Sequence, residues 1–121
     1  MGPKTIVIVE DDEEIQTLLE IILDKNDYTI IKFPNIRDCE EYVSKIIPDL
    51  FILDVRLPDG NGIAYCTELK SREHLETTPV LVISANAQRS DALAGGADYF
   101  ISKPFDLEHL IAATHSLLKG S

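Results

Sequence analysis

The 121-residue sequence predicts an α/β domain in which helices cover both faces of a parallel sheet. Two observations carry that expectation. Short β-branched or fully apolar runs alternate with amphipathic stretches, and the unit repeats five times with connections of only a few residues. No internal repeat, low-complexity segment or linker interrupts the series, so one domain is expected over 1–121, with its core at about 4–118.

The first strand is Thr5-Ile-Val-Ile-Val9, which stops at Glu10-Asp11-Asp12. Ile15, Leu18, Leu19, Ile22 and Leu23 then follow helical spacing, with acids at the helix N-terminus. Tyr28–Phe33 is the second strand, ended by Pro34, and a second helix is expected over about 36–46. Its inward candidates are Ile36, Cys39, Val43, Ile46 and Ile47. Pro48 introduces Leu50–Leu53, a strand apolar on both faces, and a third helix is expected from Asn61 to about Glu73. Pro79 precedes the fourth strand, Val80–Ile83, where a first-position proline removes no ladder donor. A short helix over Ala87–Ala94 closes at Gly95-Gly96. Tyr99–Ser102 is the fifth strand, and Asp106 caps a last helix carrying Leu107, Leu110, Ile111, Thr114 and Leu117.

Composition narrows the functions. The net charge of −10, with 21 acidic against 11 basic residues, repels phosphate backbones, so no direct nucleic-acid binding is expected. No apolar run reaches the ~18 residues of a membrane span. The start, Met1-Gly2-Pro3-Lys4, lacks the apolar core of a signal peptide. Cys39 and Cys66 form no CxxC pair and read as reduced thiols of a cytoplasmic protein.

Ligand sites of open α/β sheets lie beyond the carboxyl ends of the strands. There the first strand delivers Glu10, Asp11 and Asp12, the third Asp54, the fourth Ser84 and the fifth Lys103-Pro104. The second delivers only Pro34-Asn35. Asp54 stands apart because it ends an apolar strand before the turn residues Pro58, Gly60 and Gly62 begin. If the first and third strands are neighbours, Glu10, Asp11 and Asp54 converge. A carboxylate pair about 4 Å apart repels by roughly 4 kcal/mol at an effective dielectric of about 20. A cation must offset that repulsion, or a proton must be taken up. Lys103 supplies one charge, and a hard divalent ion such as Mg2+ suits the oxygen ligands. With no His or Cys near the set, zinc and copper do not fit. Such a site suits phosphoryl transfer with Asp54 as nucleophile.

Four pieces in order, Ile-Val-Ile-Val-Glu10-Asp11-Asp12, Leu53-Asp54-Val-Arg-Leu-Pro58-Asp-Gly60, Val-Ile-Ser84-Ala85 and Gly96-Ala-Asp…Lys103-Pro-Phe105, resemble the receiver domains of two-component response regulators. The likeness spans essentially the whole chain. It implies a flavodoxin-like (βα)5 fold with strand order 2-1-3-4-5. It also implies that Asp54 accepts phosphate from a sensor histidine kinase or histidine phosphotransfer protein. Glu10, Asp11, Asp54 and the backbone carbonyl of Arg56 would hold Mg2+. Ser84 and Lys103 would contact the phosphoryl group, and Phe100, at the switch position, would turn inward as Ser84 moves. The Lys103–Pro104 bond would be cis, as is typical of the family. The domain would then control an output partner or domain rather than turn over a separate substrate. Arg56 and Asn86 occupy positions that tune phosphoryl lifetime, and neither is a carboxylate, so a moderately long-lived phosphoform is expected. Asp12 is expected to cap the first helix, and Asp59, in the turn, to do no chemistry.

One departure stands out. Lys103 follows Ser84 by 19 positions, about three fewer than is usual for the family, which removes about a turn from the fourth helix. That helix belongs to the face through which receivers commonly dimerise, so a phosphorylation-dependent homodimer is left open. So is the choice between a stand-alone receiver and part of a longer regulator. Other readings fit less well. A haloacid-dehalogenase-type enzyme needs an Asp where Arg56 stands. A flavin or nucleotide binder needs a Gly/Ser/Thr-rich loop where Glu-Asp-Asp-Glu-Glu stands. A degenerate pseudo-receiver, acting as a phosphorylation-independent interaction module, is the remaining alternative.

Overall fold

Strands buried on both faces can be apolar throughout, because successive side chains point to opposite layers. The computed structural model, which describes residues 3–24 and 28–119, has this arrangement. Its elements are β1 (Thr5–Val9), α1 (Glu13–Asp24), β2 (Thr29–Phe33), α2 (Ile36–Val43), β3 (Leu50–Asp54), β4 (Arg56–Leu57), β5 (Gly60–Asn61), α3 (Gly62–Lys70), β6 (Val80–Ser84), α4 (Arg89–Ala94), β7 (Tyr99–Ser102) and α5 (Leu107–Lys119). The main sheet is parallel, in the order β2-β1-β3-β6-β7. Without the two-residue strands β4 and β5, which pair with each other, this is the expected order 2-1-3-4-5.

Alternate strand residues build two cores. Val7, Val9, Phe51, Leu53, Val80, Val82 and Phe100 meet α2, α3 and α4 through Cys39, Val43, Tyr65, Cys66, Leu69 and Ala92. Ile6, Ile8, Leu50, Ile52, Leu81, Ile83 and Ile101 meet α1 and α5 through Leu19, Leu23, Leu110 and Ala113. Each fully buried large side chain of this kind contributes about 1.5–3 kcal/mol. The sheet is thus a rigid mount for whatever its strand ends carry.

Several expected boundaries shift for local reasons. The second helix ends at Val43 rather than 46. Ile46 N–H bonds to Tyr42 O, and Ile47 precedes Pro48, which disfavours helix, so Ile46 and Ile47 are exposed rather than inward. The third helix stops at Lys70, with Ser71 as its C-cap. Leu18 is 39% exposed because Leu19 and Leu23 take the sheet-facing positions of α1. Leu107, in the first turn of α5, is also exposed. The fourth helix is short, as expected, at six residues. Gly96, at φ +107°, closes it in a Schellman arrangement, with Gly96 N–H on Leu93 O and Ala97 N–H on Ala92 O.

Candidate functional site

Strand register brings the polar residues together. Val9 pairs with Leu53, so Glu10 and Asp54 leave neighbouring strand ends side by side. Asp54 pairs with Ile83, one residue before Ser84, and Ser84 pairs with Ser102, one residue before Lys103. The residues singled out in the sequence thus meet at one edge of the sheet.

The charges are tightly arranged. Carboxylate oxygens of Glu10, Asp11 and Asp54 lie within 4.8 Å of one another. The Lys103 ammonium donates to Glu10 Oε1 at 2.8 Å and lies 3.3 Å from Asp54 Oδ2. Glu10 is 0% exposed and Asp54 6%, whereas Asp11 is exposed. Burial pushes the Glu10 carboxyl from 4.5 up to about 7, against the opposing pull of Lys103 and the Asp12 N–H, and the Asp54 charge pushes it further. Lys103 alone therefore does not offset the cost of burying the Glu10 charge, and further positive charge beside it would. An all-oxygen set with one exposed and two buried carboxylates fits a hard divalent cation, which would supply that charge.

Local structure holds each member in place. Asp12 Oδ1 accepts from Glu14 N at 2.9 Å and Ile15 N at 3.3 Å, so it caps α1 as expected. The Gln16 side-chain amide donates to the Glu10 carbonyl. Glu10 N–H donates to Phe33 O at 3.0 Å, tying the end of β1 to the end of β2. At Gly62 a β-carbon would stand 2.0 Å from the Asp54 carbonyl oxygen, so only glycine lets α3 start this close to β3. Asn61 caps α3 through Ile63 N and Ala64 N.

Ser84 is buried, and its Oγ accepts from Asn86 N at 3.2 Å and Ala87 N at 3.0 Å. This turn delays α4 to Arg89 instead of Ala87. The Lys103–Pro104 bond is cis. Phe100 is only 7% exposed and belongs to the core with Ala92 and Val82. The ring expected to turn inward on switching is already inside. A mainly apolar depression of about 360 Å³ adjoins the site, lined by Ile15, Leu18, Ala85, Lys103, Pro104 and Phe105.

Sequence reasoning missed three contributors. Gln16 looked like an ordinary helix residue, and Gly62 like a turn residue. Asp59 makes no contact with the cluster, yet its carboxylate accepts from Ile36 N at 2.9 Å and Arg37 N at 3.0 Å, at the start of α2. The Gly-x-Gly spacing after Asp54 was the one legible hint of a close approach.

The family model for the response regulator receiver domain matches residues 6–115, a span that includes every residue of this site. The chain is a response regulator receiver domain. The receiver is 36% identical over 118 residues to the response regulator ArlR of Staphylococcus epidermidis, covering 94% of this chain and 52% of that protein. It is 31% identical over 119 residues to the transcriptional regulatory protein GltR of Pseudomonas aeruginosa, covering 96% and 49%. The receiver thus spans about half the length of these curated relatives. Among solved structures it resembles the signal receiver domain of a signal transduction histidine kinase from Syntrophus aciditrophicus, with TM-score 0.89, 34% identity, and 97% and 91% of the two chains covered. The BeF3-activated N-terminal receiver domain of RstA from Klebsiella pneumoniae gives TM-score 0.88 and 28% identity, over 97% and 100%. As a receiver the chain is a signalling domain, and no helix among the described residues is long and apolar enough to cross a membrane.

Proposed function

We propose that this receiver accepts a phosphoryl group on Asp54 from the phosphohistidine of a sensor histidine kinase or histidine phosphotransfer protein, in the cytoplasm. The observation that carries this reading is the Asp54 carboxylate, held 3.3 Å from the Lys103 ammonium and within 4.8 Å of the Glu10 and Asp11 oxygens. A carboxylate oxygen of Asp54 attacks phosphorus, the phosphorus–nitrogen bond to the donor imidazole breaks, and the nitrogen keeps the electron pair. Glu10, Asp11, Asp54 and the Arg56 carbonyl would hold Mg2+, which when bound offsets charge on the phosphoryl oxygens. Lys103 offsets further charge. Ser84 hydrogen-bonds the phosphoryl group after releasing the Asn86 and Ala87 N–H groups. The released β6–α4 loop is then what an output partner or domain reads.

Two measurements test this. Incubation with acetyl phosphate or phosphoramidate should add one phosphoryl group by intact mass, only with Mg2+ and not in Asp54→Asn. A chain that stays unmodified yet binds a partner would be a pseudo-receiver, contrary to the proposal. Arg56 and Asn86 are both exposed and neither offers a carboxylate base to activate water, so the phosphoform should outlast the scale of seconds. Decay within seconds in Mg2+ would contradict that.

A further inference from the structure

The second strand delivers nothing chemical to the site, yet its loop connects the parts that do. Pro58 and Asp59 form the tip of the small β4–β5 hairpin, in which Arg56 pairs with Asn61 and Leu57 with Gly60. The base of this hairpin is closed by Gly62 N–H on Val55 O at 2.8 Å and by the Asn61 cap on α3. Its tip is held by Asp59. One carboxylate oxygen accepts from Ile36 N and the other from Arg37 N, residues 23 and 22 positions away.

These are the first two N–H groups of α2, which lack partners within the helix. The local cap Asn35 serves a different one, Asp38 N at 2.8 Å. Asp59 therefore complements the local cap and does not duplicate it. The two N–H groups hold the Asp59 carboxyl below the usual carboxylate range, as expected for a charged acceptor. The same β2–α2 loop is bonded to the other half of the acidic cluster through Glu10 N–H on Phe33 O. A continuous path runs from the Arg56 arm through Asp59 and α2 to Phe33 and Glu10.

We propose that Asp59 is a positioning residue for cation binding: by pinning the hairpin tip to α2, it sets the Arg56 backbone relative to Glu10 and Asp11. The inference rests on the reading that a divalent cation is held there by Glu10, Asp11, Asp54 and the Arg56 carbonyl. Asp59 itself touches no ion. Its effect on binding runs through the hairpin it holds.

The test is a Mg2+ titration of the whole chain, followed by amide NMR shifts and by calorimetry, without any phosphodonor. Asp59→Ala should weaken Mg2+ binding by about tenfold, the scale of outer-shell changes at metal sites. Asp59→Asn, which keeps one acceptor oxygen, should fall between it and the parent chain. Asn35→Ala removes the local cap from the same helix and should leave Mg2+ affinity unchanged. Equal weakening by Asn35→Ala would trace the effect to α2 stability and overturn the proposal. Unchanged affinity in Asp59→Ala would overturn it as well, while leaving phosphoryl acceptance by Asp54 intact. Absence of Mg2+ binding by the parent chain would overturn both readings.

Discussion

The ammonium nitrogen of Lys103 lies 2.8 Å from Oε1 of Glu10, a carboxylate with no exposed surface. Even with this partner, burial leaves the Glu10 carboxyl at about 7 rather than 4.5. Burial of this carboxylate therefore costs more than its lysine partner returns.

The pH dependence follows with a definite sign. Between pH 4.5 and about 7 the folded Glu10 keeps a proton that the unfolded chain has lost, so its contribution to stability falls as pH rises. Relative to Glu10→Gln, the metal-free parent should lose about 3 kcal/mol across that window, measured by urea unfolding. Mg2+ should stabilise the parent more at about pH 8 than at about pH 5.5, because it binds the ionised form. A flat difference between parent and variant would refute this.

Gly62→Ala should be the most damaging of the glycine substitutions near the site. Its β-carbon would stand 2.0 Å from the Asp54 carbonyl oxygen, a backbone atom that cannot move without displacing the strand end. A loss of about 3 kcal/mol is expected in chemical denaturation, at the upper end for overpacking. Gly60→Ala meets only the Ile36 Cδ1 at 2.8 Å, the end of a flexible side chain. It should cost less than about 1 kcal/mol.

Thr114 lies on α5 with no exposed surface, and its Oγ1 finds no hydrogen-bond partner among the described residues. Thr114→Val keeps the shape and removes the unpaired hydroxyl, so it should stabilise the domain by about 1 kcal/mol. A lower melting temperature in the variant would show that the hydroxyl is satisfied after all.

Cys39 and Cys66 are both buried, and burial pushes each thiol up to about 11. Neither should react with a thiol reagent in the native chain at neutral pH, and both should react after denaturation. Labelling of either residue without unfolding would contradict this.

The fold was legible because burial on both faces leaves an unmistakable apolar run in β3 and β6, and strand ends follow from it. The candidate site residues were singled out for the same reason, since Asp54 stands out only against Leu50–Leu53. What escaped was held by contacts to the backbone, which leave no hydrophobic pattern. Asp59 reads as an ordinary turn acid, and its partners Ile36 and Arg37 belong to another loop. Exposure of Leu18, Ile46 and Ile47 was hidden too, because an apolar stripe does not reveal where its helix stops or which of its residues meet the sheet. Phe100 was placed correctly on its strand, but its inward position depends on space beside Ala92 that only the packed structure reveals.

The turn at Ser84 holds two backbone N–H groups on one hydroxyl. If its hydroxyl must leave the Asn86 and Ala87 N–H groups to reach a phosphoryl group, two ordinary hydrogen bonds are surrendered. At a net worth of about 0.5–1.5 kcal/mol each, roughly one unmodified molecule in six to one in 160 would then already have this loop released. An unphosphorylated pool of such molecules would signal faintly at all times. The strength of that background would then be set by one serine side chain and the two amides it holds.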